Sequence, residues 1–262
     1  MLRISSIERL AMYEDLFAIL ERLSSLGVPM CKPVEYGICQ EGFYTLFSWI
    51  DGEDLRTVLP GLSEKEQYRL GVRAGEILRI IHSIPAPENQ ENWAERVNRK
   101  IDDKTKRYQE CGIKIDGDEH FFEYTEQNRH LLEGRPQCFQ HDDYHAGNMM
   151  LADGELTIID FDRSDYGDPW EEFKSITWNA QLSPCFATGQ INGYFGGNPP
   201  LAFFKLLAFY VANGVLAFIL GAIPGGQTEI DVGLNLASDI LRWYDNMSNP
   251  VPTWYLDGYE LK

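Results

Sequence analysis

Apolar residues recur at Ile7, Leu10, Tyr13, Phe17, Leu20 and Leu23, which is the spacing of one face of an α-helix. Ser6 stands ahead of this run as a cap, and Gly27 and Pro29 stop it, so the pattern predicts a helix over 7–26. Leu2-Arg3-Ile4-Ser5 is a short β-like piece before it. Two β-type stretches after it, 34–39 and 43–50, flank Gln40-Glu41-Gly42 and predict a hairpin. The chain therefore opens as strand, helix, strand, strand, and then turns helical. Ser63-Glu64-Lys65-Glu66 is a capping box for a helix reaching Ile81, with Leu70, Ala74, Ile77, Leu78 and Ile81 on its apolar face and His82 as a packed closing residue. Residues 93–108 predict a surface helix of mixed charge, and 118–132 a third helix with Phe121, Phe122, Tyr124 and Leu131 for packing. Three more follow over 185–195, 201–221 and 228–244, the last turning Val232, Leu234, Leu236, Ile240 and Leu241 mostly inward. Trp243, Tyr244, Trp254, Tyr255 and Tyr259 crowd the tail.

One segment interrupts the helices. After the apolar Cys138-Phe139 comes His141-Asp142-Asp143-Tyr144-His145-Ala146-Gly147-Asn148, then Met149-Met150-Leu151, an Asp153-Gly154 turn, and Leu156 to Ile159 returning before Asp160-Phe161-Asp162. Asp143 and Asn148 then lie in a loop entering a hairpin and Asp160 at its exit, so the three oxygen-bearing side chains can converge. That set suits a hard divalent cation such as Mg2+ completed by phosphate oxygens. In a phosphoryl-transfer reading, Asp143 orients and deprotonates an attacking hydroxyl while Asn148 and Asp160 hold the metal. His141 and His145, four apart, raise the rival reading of a metal-dependent phosphohydrolase. They would share a face only on a helix, however, and the surrounding pattern is loop and hairpin.

The spacing H-x-D-x-H-x-x-N, then hydrophobic-Asp-Phe, then Gly167-Asp168-Pro169, resembles the aminoglycoside phosphotransferase and choline kinase-like family. The resemblance implies an α+β, bilobal protein-kinase-like fold, with a small lobe over 1–50 and a mainly helical lobe over 51–262. It implies a phosphotransferase using ATP or GTP with Mg2+ and a hydroxyl of a small, aminoglycoside-like or choline-like acceptor. By the same resemblance Arg3 stands where relatives bind the α- and β-phosphates through a Lys, with Glu14 as its partner on the helix. Ser48, Trp49 and Ile50 are the adenine-contacting hinge. Asp143 is the base, with His145 near the transferred phosphate, His141 holds the loop, and Asp168 caps the next helix, with Glu171 closing a capping box, and steadies the catalytic loop. Asp162, Glu171 and Glu172 are expected to face a cationic acceptor. Two departures stand out. Asp142 occupies a position that is Gly in most relatives, and only Met1 and Leu2 precede Arg3 where the family places a hairpin and phosphate-covering loop. The small lobe is therefore expected to lack its first two strands, and a non-catalytic, kinase-like binding protein is the competing class.

Charge narrows the partners. The formal net charge of -17, from 23 basic and 40 acidic residues, disfavours nucleic acid and anionic membranes. The five cysteines are scattered with no Cys-x-x-Cys pair, which predicts neither a disulfide framework nor a structural zinc site. The apolar run over 201–220 is long enough to span a bilayer but carries Lys205 and Asn213, and is expected to be a buried helix of the larger lobe. No signal-like apolar stretch opens the chain, and a cytoplasmic small-molecule enzyme is the expectation.

Overall fold

The computed structural model describes residues 1–258; Tyr259 lies outside the described residues. The fold is the expected bilobal α+β arrangement, small sheets in the N-terminal region and mostly helices after it. Strands β1 (Leu2–Ser5), β2 (Pro33–Cys39) and β3 (Gly42–Phe47) form an antiparallel sheet in the order β1-β3-β2. Arg3 pairs with Thr45 and Cys39 with Gly42 across this sheet. The helix α1 (Leu10–Ser25) follows a 3-10 turn at Ile7–Arg9, and Ser6 makes no side-chain cap. Tyr13, Leu16, Phe17, Leu20 and Leu23 bury its inner face, with the Phe17 ring on Tyr36 of β2. The predicted second strand of the hairpin stops at Phe47, so 48–50 is connecting chain.

A two-residue strand β4 (Glu53–Asp54) leads into the short α2 (Leu55–Val58), and α3 (Glu64–Ile81) carries the predicted capping box between Ser63 and Glu66. The large lobe is built on α3 crossing α7 (Pro184–Phe195) at close range. Gly71, Gly75, Gly189 and Gly193 make that approach possible. A Cβ on Gly75 would stand 2.1 Å from the Gln190 carbonyl oxygen, and one on Gly193 2.0 Å from that of Val72. Around this pair lie α4 (Trp93–Glu110), α5 (Asp118–Asn128), α6 (Ile176–Leu182), α8 (Leu201–Ala222) and α9 (Gln227–Trp243). α8 has the length and apolarity of a membrane span, but Phe203, Leu207, Phe209, Ala212 and Ile219 on it are buried against the rest of the lobe.

Three expectations shift. α4 is not a solvated surface helix: Trp93, Val97 and Ile101 recur at four-residue spacing and bury one face, so its charges line the edges of a cleft. α5 ends at Asn128, and residues 129–132 tighten into a 3-10 turn. On α9, Gly233 and Ala237 take the inward positions beside Phe218 and Ile219, which rotates Val232 outward to 40% exposure.

Candidate active site

The segment from His141 to Asn148 hangs from two antiparallel ladders. β5 (Cys138–Gln140) pairs with β8 (Asp165–Gly167), and β6 (Met149–Ala152) pairs with β7 (Glu155–Ile158) through the Asp153-Gly154 turn. The loop between β5 and β6 therefore stands beside the chain leaving β7, as the hairpin pattern predicts. Ile159 N–H donates to the Asn148 carbonyl at 3.0 Å, which closes the neck of the hairpin.

Asp143 sits at the centre of this loop, half-buried. Its carboxylate is 3.2 Å from His145 Nε2 and 3.8 Å from Arg163. Gly147 N–H donates to His145 Nδ1 at 3.0 Å, so a neutral ring carries its proton on Nε2, facing Asp143. His145 thus orients the carboxylate. Burial raises the Asp143 pKa, but His145 and then Arg163 outweigh it and hold the carboxyl below its usual range. The Asn148 amide nitrogen donates to the Asp143 carbonyl at 2.8 Å, which leaves the amide oxygen available as a ligand. Asp160 is exposed, in left-handed backbone at φ 64°. A carboxylate here and the Asn148 oxygen are hard donors of the kind Mg2+ takes, and two such ligands would need phosphate and water to complete its shell. Among the described residues no group of three or more His, Cys, Asp or Glu side chains could hold a metal. His141 Nε2 is engaged with the Ile159 carbonyl at 2.9 Å and His145 Nδ1 with Gly147 N–H, so each imidazole of the phosphohydrolase reading spends one ring nitrogen on local backbone, and the other nitrogen of His141 is buried.

The loop is held from below by Glu172. Its Oε2 accepts from His141 N–H at 2.7 Å and Asp142 N–H at 3.1 Å, with His82 Nε2 3.6 Å away, and the residue is 1% exposed. Burial opposes its charge, yet His82, then His141 and Lys174, keep its carboxyl below the usual range. Glu172 therefore supports the loop and does not meet an acceptor. Asp168 is also buried, but its carboxylate binds Arg135 at 2.7 and 2.8 Å, Tyr210 at 2.7 Å and Trp170 N–H at 3.0 Å. It closes the turn ahead of the 3-10 stretch Glu171–Ser175, whose N-cap is Trp170, so it is not the expected helix cap, and the backbone of His141 and Asp142 is left to Glu172. Glu171 closes no capping box; it turns to Lys174 at 2.7 Å and Gln140 at 3.2 Å.

Asp142 stands at φ 64°, which accounts for the Gly expected there: the position is left-handed, and Asp is among the few residues that tolerate it. Its carboxylate forms an ion pair with Lys174, which also holds Glu171. Burial pushes the Asp142 carboxyl up to about 7, with Lys174 pulling against it.

In the small lobe the expected pair does not form. Arg3 reaches across to Asp162, which also accepts from Tyr13 Oη at 3.2 Å. Glu14 is exposed, because Tyr13 and Phe17 set the helix phase and carry the next position outward. Asp162 is thus paired within the small lobe in this structure. Ser48 Oγ accepts from Lys32 N–H at 2.8 Å and anchors the connecting chain, while Trp49 is 77% exposed and Ile50 half-buried.

Several residues the motif did not flag complete the site. Asn179 on α6 accepts from Ala146 N–H at 2.8 Å and donates to Gln190 at 2.7 Å, fixing the loop to α7. Tyr144 Oη donates to the Ala74 carbonyl of α3 at 2.8 Å. Only the i, i+3 spacing of Glu171 and Lys174 was visible as a signal; the Asn179–Ala146 and Tyr144–Ala74 contacts span more than thirty residues. Two cavities, of about 550 and 590 Å3, meet at Asp143, Arg163, Trp178 and Phe218. The first runs between α4, α8 and α9, and the second toward Arg56 and Gln181.

The family model described as the phosphotransferase enzyme family matches residues 1–204. No curated protein matches the chain in sequence. Among solved structures, the gentamicin complex of APH(2″)-IIa is similar with a TM-score of 0.62 and 18% identity, covering 90% of this chain and 84% of that one. A choline/ethanolamine kinase family protein from Mesorhizobium loti gives 0.64 and 16%, over 89% and 80%. ADP-bound APH(2″)-Ib gives 0.60 and 17%, over 97% and 87%.

Proposed function

The chain belongs to the phosphotransferase enzyme family and is a small-molecule phosphotransferase, and on that premise we propose that it moves the terminal phosphoryl of ATP or GTP, with Mg2+, to an acceptor hydroxyl presented to Asp143. The observation that carries this reading is the placement of the Asp143 carboxylate where two cavities meet, kept ionised by His145 and Arg163.

In the proposed reaction Asp143 accepts the hydroxyl proton as the acceptor oxygen bonds to phosphorus and the nucleoside diphosphate oxygen leaves. His145 keeps the carboxylate aimed, and Glu172 and Asn179 hold the loop backbone so that no reorganisation is needed at the moment of transfer. Mg2+, held by Asn148 and Asp160, supplies charge neutralisation of the phosphates when bound. Arg3 is the phosphate-facing cation in this reading. It exchanges Asp162 for nucleotide oxygens, an exchange that Arg makes readily because both partners are bidentate acceptors. The lobe boundary falls near residue 50, with Ser48, Trp49 and Ile50 as the hinge. A cytoplasmic location belongs to the same reading, supported by free thiols at Cys31, Cys39, Cys111 and Cys138.

Calorimetric titration with ATP and with GTP, each with and without Mg2+, tests the proposal. Saturable binding that strengthens with Mg2+ is expected. Absence of nucleotide binding under all four conditions would overturn it.

A further inference from the structure

The cavity of about 550 Å3 beside Asp143 is lined by five carboxylates and five cations, in a chain whose net charge is -17. An acceptor pocket made for a cation would hold unspent carboxylates. Here four of the five are paired within the protein. Asp142 and Glu171 share the Lys174 ammonium, Asp165 pairs with Arg96, and Asp143 lies beside His145 and Arg163. Glu229 alone, exposed on the first turn of α9, has no such ion pair among the described residues.

The cations divide differently. Lys174 and Arg96 are spent on those carboxylates, but Lys100 and Lys104, one helical turn apart on α4, form no ion pair among the described residues. Lys104 uses one donor on the Asn213 carbonyl at 3.0 Å, and an ammonium carries three. Burial lowers its pKa to about 8, with Glu171 pulling against it. Beside it, the Asn213 amide nitrogen is used twice, on Thr125 and on the Phe209 carbonyl, while its oxygen is buried with no partner. Asn213 lines the same cavity, but this oxygen is closed off from it. Trp178 and Phe218, their rings 5.1 Å apart, wall the passage toward Asp143.

Resting on the phosphotransferase reading, we propose that the acceptor is a hydroxylated organic anion: its hydroxyl lies at Asp143, and its carboxylate or phosphate is bound by Lys104 and Lys100.

The test compares hydroxylated acceptors that are anionic, neutral and cationic. ADP release from MgATP is measured with gluconate, glucose 6-phosphate, glucose and kanamycin, and binding of the first two is measured by calorimetry without nucleotide. One anionic compound should exceed glucose and kanamycin in kcat/KM; gluconate against glucose 6-phosphate separates a carboxylate from a phosphate recogniser. Lys104→Met and Lys100→Met should each raise KM for that anion by roughly tenfold to a hundredfold, leave KM for glucose nearly unmoved, and leave kcat largely intact. Lys106→Met, exposed on the same helix outside the cavity, should behave as wild type. Preference for kanamycin, or an anion KM indifferent to both lysine variants, overturns the proposal. If no compound releases ADP and MgATP does not bind, the phosphotransferase reading fails; calorimetric binding of the anions, lost in Lys104→Met, would still uphold the anion site, and its absence would remove that too.

Discussion

Removing the Glu172 carboxylate tests how the catalytic loop is held. In Glu172→Gln the amide oxygen can still accept from His141 and Asp142 N–H, so the two contacts at 2.7 and 3.1 Å survive without their charge. A hydrogen bond to a charged group is worth about 1.5–3 kcal/mol and a neutral one about 1, so two bonds lose about 1–4 kcal/mol. Relief of a buried charge returns part of this, and a net loss of about 1–3 kcal/mol is expected. Glu172→Ala leaves both N–H groups buried without acceptors and adds a cavity, for a loss of about 3–5 kcal/mol. Urea unfolding followed by tryptophan fluorescence reads both as shifts in midpoint at constant slope. The carboxyl is held below its ordinary value of 4.5, so its stabilisation is fully present above that pH and is lost as pH falls through the folded-state pKa. The gap between wild type and Glu172→Gln should therefore narrow in acid. Turnover should fall more steeply than stability, because a shift of the loop misplaces Asp143. An alanine variant within about 0.5 kcal/mol of wild type, the usual range for a surface change, would refute the assignment of Glu172 as the loop's anchor.

Asp143→Asn should cut phosphoryl transfer by roughly a hundredfold or more while sparing nucleotide affinity; ADP release and calorimetry measured on one preparation separate the two effects, and undiminished turnover would remove Asp143 as the base. Asp160→Ala should weaken nucleotide binding only when Mg2+ is present, and equal loss without Mg2+ would mean the residue acts otherwise. Gly193→Ala drives a methyl to 2.0 Å from the Val72 carbonyl oxygen, and overpacking of about 1–3 kcal/mol or more should appear as a lower melting temperature. For Lys104 the folded-state pKa is depressed from 10.5 to about 8, so the folded chain gives up this proton first and stability should rise with pH across that interval. The rise should be smaller in Lys104→Met when urea midpoints are compared from pH 7 to 10.

Local pattern was enough for the hairpin that carries Asp143, Asn148 and Asp160, because a short apolar run, an Asp-Gly turn and a returning strand are decided within twenty residues. The same holds for the capping box at Ser63 and the stop of α1 at Gly27, where a single turn of backbone sets the outcome. Helix phase was less secure. Glu14 and Val232 turned outward because one buried neighbour, Tyr13 or Gly233, sets the rotation of the whole element. What an acidic side chain faces was beyond reach of the sequence altogether. Asp162, Glu171 and Glu172 read as a surface offered to a cation, yet each found a partner from another part of the chain: Arg3, Gln140 and Lys174, and the backbone of His141. Three of those four partners lie about thirty residues or more away, and only Lys174 is near. A carboxylate's charge is written in the sequence, whereas its counter-charge is chosen by tertiary packing. For that reason the loop and hairpin that place Asp143 were legible from the chain alone, and the pairing of the charges in the pocket beside it was decided only when α4, α8 and that loop came together.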